Sequence, residues 1–167
     1  MKDMPDVEIP RTVKVSLYRF SDHFKGFDKV EAVRRIFGDK TEEALRNLKV
    51  EFFSSRFGYM GVSDEDGHLI VSTHYLKHGN LEEIYLDLIH ELVHVKQFLN
   101  GNELFDDSFE YVDRPTEIEA YKYTVQEARR IGMSDLEIYN YLKAFWMSDG
   151  ETAELAKRLG VSQTVKS

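Results

Sequence analysis

Two histidines and a glutamate sit in the middle of an apolar run, LDLIHELVHVKQFLNG, from Leu86 to Gly101. They read His90-Glu91-Leu92-Val93-His94, the pattern HExxH. Residues four apart on a helix lie one turn apart on the same face. Two imidazoles so spaced can hold one metal ion through neutral ring nitrogens. Glu91 falls about 100° round the helix from His90, where a carboxylate reaches a water at the ion rather than the ion itself. Leaving such groups buried and unpaired costs roughly 2–7 kcal/mol each, and a bound cation offsets that cost. Shuffling six histidines and 17 glutamates in this chain gives HExxH in roughly 2% of sequences. The flanking Ile89, Leu92, Val93 and Val95 argue against the alternative of ordinary surface histidines.

A catalytic zinc takes three protein ligands and keeps one position open. An extended HExxHxxGxxH form would need Gly at 97 and His at 100, but the chain has Gln97 and Asn100. No histidine follows His94, so a further imidazole would have to come from His23, His68, His74 or His78. A carboxylate is the other possibility. The segment RPTEIEAYKYTVQEARRIG offers Glu117 and Glu119. Helical phase puts Glu117 in line with Ala120, Tyr121, Thr124, Val125, Ala128 and Ile131, a core-facing stripe. Glu119 aligns instead with Lys122, Gln126 and Arg130, and sits three residues after Thr116, as a capping-box glutamate does. The expected ligand set is therefore His90, His94 and Glu117, with Glu119 as the rival third ligand and Glu91 as the catalytic base.

HELVH followed by a second helix bearing EIEA resembles the gluzincin metallopeptidases, over roughly residues 81–132. That resemblance implies a zincin-like fold, one Zn2+ ion and hydrolysis of peptide bonds in a peptide or protein substrate. Gluzincins often carry Asp or Asn shortly after the ligand glutamate, where this chain has Tyr121. Asp87, one turn before His90, is a candidate to orient an imidazole, with an ordinary surface aspartate as the plainer expectation. The oxyanion of such a reaction needs a donor, for which Tyr111, Arg114, Tyr121 and Tyr123 are candidates. The strand GHLIVSTHYL resembles the zincin edge strand that pairs with an extended peptide, with His74 and His78 as polar residues near its end.

The elements that must position these groups follow from periodicity. A strand is expected across Val13–Tyr18, a helix over Val30–Phe37 stopped by Gly38, and a second helix in KTEEALRNLKV capped by Thr41. VEFFSSRFGYMGV and GHLIVSTHYL read as an antiparallel pair joined by SDEDG. Asn80, three residues before Glu83, opens the motif helix, which Gly101 ends. Pro115 and Thr116 open the glutamate-bearing helix, and SDLEIYNYLKAFW and ETAELAKRLGV supply two more. Strands first and helices after predict an α+β class with a small antiparallel or mixed sheet. The expected division is a catalytic domain over 1–133 and a C-terminal helical extension over 134–167 packed on it.

The chain of 167 residues has no cysteine, which excludes disulfides, thiolate ligands and a cysteine nucleophile. No apolar run is long enough for a signal peptide or a membrane span, so a soluble, cytoplasmic protein with no membrane partner is expected. The net charge of −8 makes nucleic acid an unlikely partner. Two rival functions stand beside the peptidase. ETAELAKRLGVSQTVKS resembles the first part of a helix-turn-helix, with Ser162 capping a would-be recognition helix, as in a DNA-linked regulator. The other rival is a zinc-stabilised interaction module without catalysis.

Overall fold

The computed structural model describes residues 2–56, 59–144 and 146–162. The would-be recognition helix after Ser162 lies outside them, as does Phe145 in the SDLEIYNYLKAFW segment. The chain is α+β. Strand β1 is Ser16–Arg19, later than the expected Val13–Tyr18. Helices α1 (Phe20–His23), α2 (Glu31–Phe37) and α3 (Thr41–Asn47) lead to β2 (Lys49–Phe53), β3 (Met60–Val62) and β4 (Leu69–Ser72). Helices α4 (Thr73–His78), α5 (Leu81–Leu99), α6 (Pro115–Arg130), α7 (Asp135–Leu142) and α8 (Asp149–Arg158) follow.

The sheet is mixed, in the order β1-β2-β4-β3. The single strand expected across VEFFSSRFGYMGV is split into β2 and β3, and only β3 makes the expected antiparallel pair with β4, with Gly61 opposite Ile70. β2 runs parallel to β4, Val50 opposite Leu69, a crossover that the two adjacent apolar runs did not reveal. β2 shows why one face is buried. Val50 and Phe52 are fully buried while Lys49 and Glu51 are exposed, the period-two alternation of a half-covered strand. The expected strand GHLIVSTHYL stops at Ser72, because the Ser72 hydroxyl accepts from the Tyr75 amide at 3.2 Å and caps α4. His74 and His78 thus lie on a short helix, not a strand end. Thr41 does not cap α3 either; its hydroxyl donates back to the Gly38 carbonyl at 2.6 Å.

α5 is the central beam. The Asn80 side chain accepts from the Glu83 amide at 3.1 Å, and Gly101 leaves the helix at φ +83°. Both ends fall as the sequence requires. Ile84, Tyr85, Leu86, Leu88, Ile89, Leu92, Val93 and Val95 are all buried, so α5 is covered around most of its circumference. α6 packs along it through the predicted stripe, and every residue of that stripe is buried. Lys122, Gln126 and Arg130 face solvent. Apolar residues of α7 and α8, including Ile138, Leu142 and Leu155, join the same core. Among the described residues, no helix is long and apolar enough to cross a membrane.

Candidate metal centre

The α5–α6 packing brings His90, His94 and Glu117 to one point. His90 Nε2 and His94 Nε2 are 3.2 Å apart, and Glu117 Oε1 is 3.0 Å from each. All three side chains are buried. Glu91 is half-buried, and its carboxylate lies within 4.8 Å of the two imidazoles.

Hydrogen-bond bookkeeping shows what this triangle lacks. Gln97 is 3% exposed, and its amide Nε2 donates to the Thr116 carbonyl and to Glu119 Oε1, both at 2.9 Å. Its Oε1 therefore faces His94 Nδ1 at 2.7 Å and must accept from it. On the other ring, the Thr124 hydroxyl already donates to the Ala120 carbonyl at 2.8 Å, so it can only accept from His90 Nδ1, 3.4 Å away. With each Nδ1 carrying the proton, both Nε2 atoms present lone pairs to each other and to the Glu117 carboxylate. Three acceptors aimed at one point need a cation. A proton on His94 is one way to supply it; a metal ion is the other, and it engages all three atoms together. In a tetrahedral site with bonds of about 2.0–2.1 Å, donor atoms stand about 3.4 Å apart. The observed triangle is only slightly tighter, so the donor set fits one ion. His90, Glu91 and His94 form a group able to bind a metal.

The electrostatics favour a proton on His94 when no metal ion is bound. Burial dominates His90 and holds it below the usual imidazole range, despite the Glu117 hydrogen bond. Burial also pulls His94 down, but the Glu117 hydrogen bond and the charges of Glu91 and Glu117 outweigh it and lift it to about 9. Burial would raise Glu117, yet the two imidazoles hold it far below the carboxylate range. Burial pushes Glu91 up to about 8, against the pull of His94. A cation in the cluster draws that carboxyl back down.

The remaining sequence candidates divide clearly. Tyr111 and Tyr121 belong to the site. The Tyr111 hydroxyl lies 3.3 Å from Glu117 Oε1 and 2.8 Å from the Tyr121 hydroxyl, and the Tyr121 ring packs edge-on against His90 at 4.4 Å. Arg114 sits behind Tyr111, its Nε donating to the Asp106 carbonyl. Tyr123 packs against the core. Glu119 is exposed and makes no capping box with Thr116, whose hydroxyl donates to the Leu104 carbonyl; its role is to hold Gln97. Asp87 is half-buried and orients no imidazole. It accepts from the Tyr75 and Tyr141 hydroxyls, and burial, opposed by those two bonds, raises it to about 6. His23 packs at a tilt on Tyr18, His68 pairs with Asp66 and Glu51, and His74 packs on His78, so no upstream histidine joins the cluster. The sequence reading missed Gln97 and Thr124. Their only local signal was polarity on buried helix faces.

The cluster opens into a cleft of about 340 Å³, lined also by β3 and by Leu104, Phe105 and Tyr111. A larger cleft of about 690 Å³ lies between α2, α3 and the C-terminal end of α5, but holds none of the cluster residues. Chemistry, not size, marks the site. Compared with known proteins, the chain matches no family model, no curated protein and no solved structure.

Proposed function

We propose that the chain is a zinc-dependent peptidase of gluzincin type, with His90, His94 and Glu117 as ligands and Glu91 as catalytic base. The observation that carries this reading is the convergence of three acceptor atoms beside a fourth acceptor, the half-buried Glu91 carboxylate, at a cleft. Two imidazoles and one carboxylate without thiolate suit zinc in a catalytic rather than a structural setting. When bound, the ion supplies a Lewis acid and lowers the pKa of a water to near 7. Glu91 takes the proton of the attacking water and passes it to the leaving amine. Tyr111, on the cleft wall, is the donor best placed for the developing oxyanion, and Tyr111→Phe lowers kcat about 10²-fold with little change in KM. The peptide lies along β3, not along the GHLIVSTHYL strand, because β4 is internal to the sheet and β3 is the edge that borders the cleft.

The test is Glu91→Gln in zinc-loaded protein, assayed on an unfolded protein such as casein. Cleavage is lost while zinc content is unchanged. If the variant cleaves as well as the parent, or the parent cleaves nothing, the hydrolase reading fails. A zinc-held interaction module predicts no effect of this substitution on anything measured.

A further inference from the structure

The walls of the cleft carry a charge bias. Along residues 59–70 and 103–111 there is no lysine or arginine, although the chain holds 22 of them. Those segments contain seven acidic residues: Asp64, Glu65 and Asp66 lie in the turn beyond β3, where Asp66 lines a different cleft, whereas Glu103, Asp106, Asp107 and Glu110 belong to the loop that supplies Leu104, Phe105 and Tyr111. Asp66 is engaged by His68 and Asp106 by Ser108. Asp64, Glu65, Glu103, Asp107 and Glu110 are exposed. Glu103, Asp107 and Glu110 each stand one or two residues from Leu104, Phe105 or Tyr111, which line the cleft. Chain geometry keeps one or two residues within roughly 7 Å, inside the Debye length of about 8 Å at physiological salt. Arg114, the first cation after this loop, already serves the Asp106 carbonyl and the Tyr111 ring.

Apolar surface is interleaved with this charge. Tyr59 is 59% exposed, Phe105 46% and Phe109 42%, large values for aromatic rings. Tyr59 and Phe105 both line the cleft, and Met60, Val62 and Ile70 extend its apolar lining along the sheet. Such a surface buries a bulky apolar side chain while its rim attracts positive charge. A segment rich in Asp or Glu would meet like charge along the 103–110 loop, while on the sheet side the nearest cation in sequence, Arg56, stands three residues before Tyr59.

We infer that the cleft selects extended peptide segments in which a bulky apolar residue is flanked by lysines or arginines. This substrate class rests on the peptidase reading. The acidic rim acts mainly on encounter, so the selectivity appears in kcat/KM and weakens with salt.

The experiment uses zinc-loaded full-length protein and three fluorogenic peptides that share one core around a phenylalanine, with lysine, serine or glutamate flanks. kcat/KM is measured on the parent. Kd is measured by anisotropy on Glu91→Gln, at low and high ionic strength. The lysine-flanked peptide is favoured over the glutamate-flanked one about tenfold at low salt, approaching parity at about 1 M salt. The triple variant E103Q/D107N/E110Q collapses the ratio, whereas E31Q/E43Q/E154Q, which removes equal charge elsewhere, keeps it; circular dichroism confirms that both fold. Exchange of the core phenylalanine for serine weakens binding, and Phe105→Ser shrinks that difference. Equal or reversed preference, or a preference untouched by the loop variant, overturns the proposal. Cleavage of the serine-flanked peptide with no lysine preference defeats the selectivity and leaves the hydrolase. Selective binding without cleavage of any peptide defeats the hydrolase and leaves the selectivity.

Discussion

Helix α6 buries two carboxylates against α5, and they live in opposite surroundings. Near its C-terminal end, Glu127 is 1% exposed, accepts from the Tyr85 hydroxyl, and takes two hydrogen bonds from Arg130 at 2.7 and 3.0 Å. Near its N-terminal end, Glu117 is 5% exposed and faces two imidazole nitrogens whose protons are committed elsewhere. Glu127 is complete as it stands: every partner is a donor, and one is a cation. Glu117 has one neutral donor, the Tyr111 hydroxyl, and otherwise depends on a cation, which a proton on His94 or a metal ion supplies. Burial of a charge alone therefore does not mark a functional site; the balance of donors against acceptors around it does. Asp87, held by two tyrosine hydroxyls, falls on the complete side with Glu127.

The contrast can be broken by exchanging the two requirements. Glu127→Ala leaves the buried Tyr85 hydroxyl without its acceptor, while the solvent-facing Arg130 can hydrate, and costs about 1–3 kcal/mol of folding stability, read by denaturant unfolding. Its metal content is unchanged. Metal removal does the reverse. Chelation lowers stability by about 2.7 kcal/mol relative to protein held at zinc concentrations 100-fold above Kd. It does so in the parent and in Glu127→Gln, and has no effect on Glu117→Ala. A chelator effect that survives Glu117→Ala would place the metal elsewhere.

Two smaller effects sharpen the same comparison. Gln97→Leu removes the acceptor that fixes the tautomer of His94, and zinc affinity measured by competition falls about 10- to 100-fold. Glu119→Gln, which leaves Gln97 its second acceptor at Thr116, falls by less. Asp87 gives a pH signature. Its folded-state pKa lies above the unfolded one, so the folded state holds more protons between about pH 4 and 6. Stability from this group therefore declines as pH rises through that window, and Asp87→Asn flattens that part of the pH–stability curve. A steeper slope in the variant would contradict the assignment.

The sequence carried the two helices and their meeting face because these are local, periodic signals. Asn80 and Gly101 bounded α5, and the stripe from Glu117 to Ile131 came out buried residue for residue. What it hid was long-range. Glu127 lies one position off that stripe, and its burial depends on Tyr85, 42 residues away. Gln97 looked like a mere departure from an extended zinc motif. Its function as a strut between His94, Thr116 and Glu119 exists only once α5 and α6 are packed. The parallel β2–β4 crossover and the switch from β4 into α4 at Ser72 were equally illegible, since β-branched runs do not record which neighbour they pair with.

Zinc content after reconstitution and desalting, compared across the parent, Glu117→Ala and Glu119→Ala, tests the central claim most directly. One equivalent is expected in the parent and in Glu119→Ala and none in Glu117→Ala. Equal zinc in the parent and Glu117→Ala, or no zinc in the parent, would contradict it.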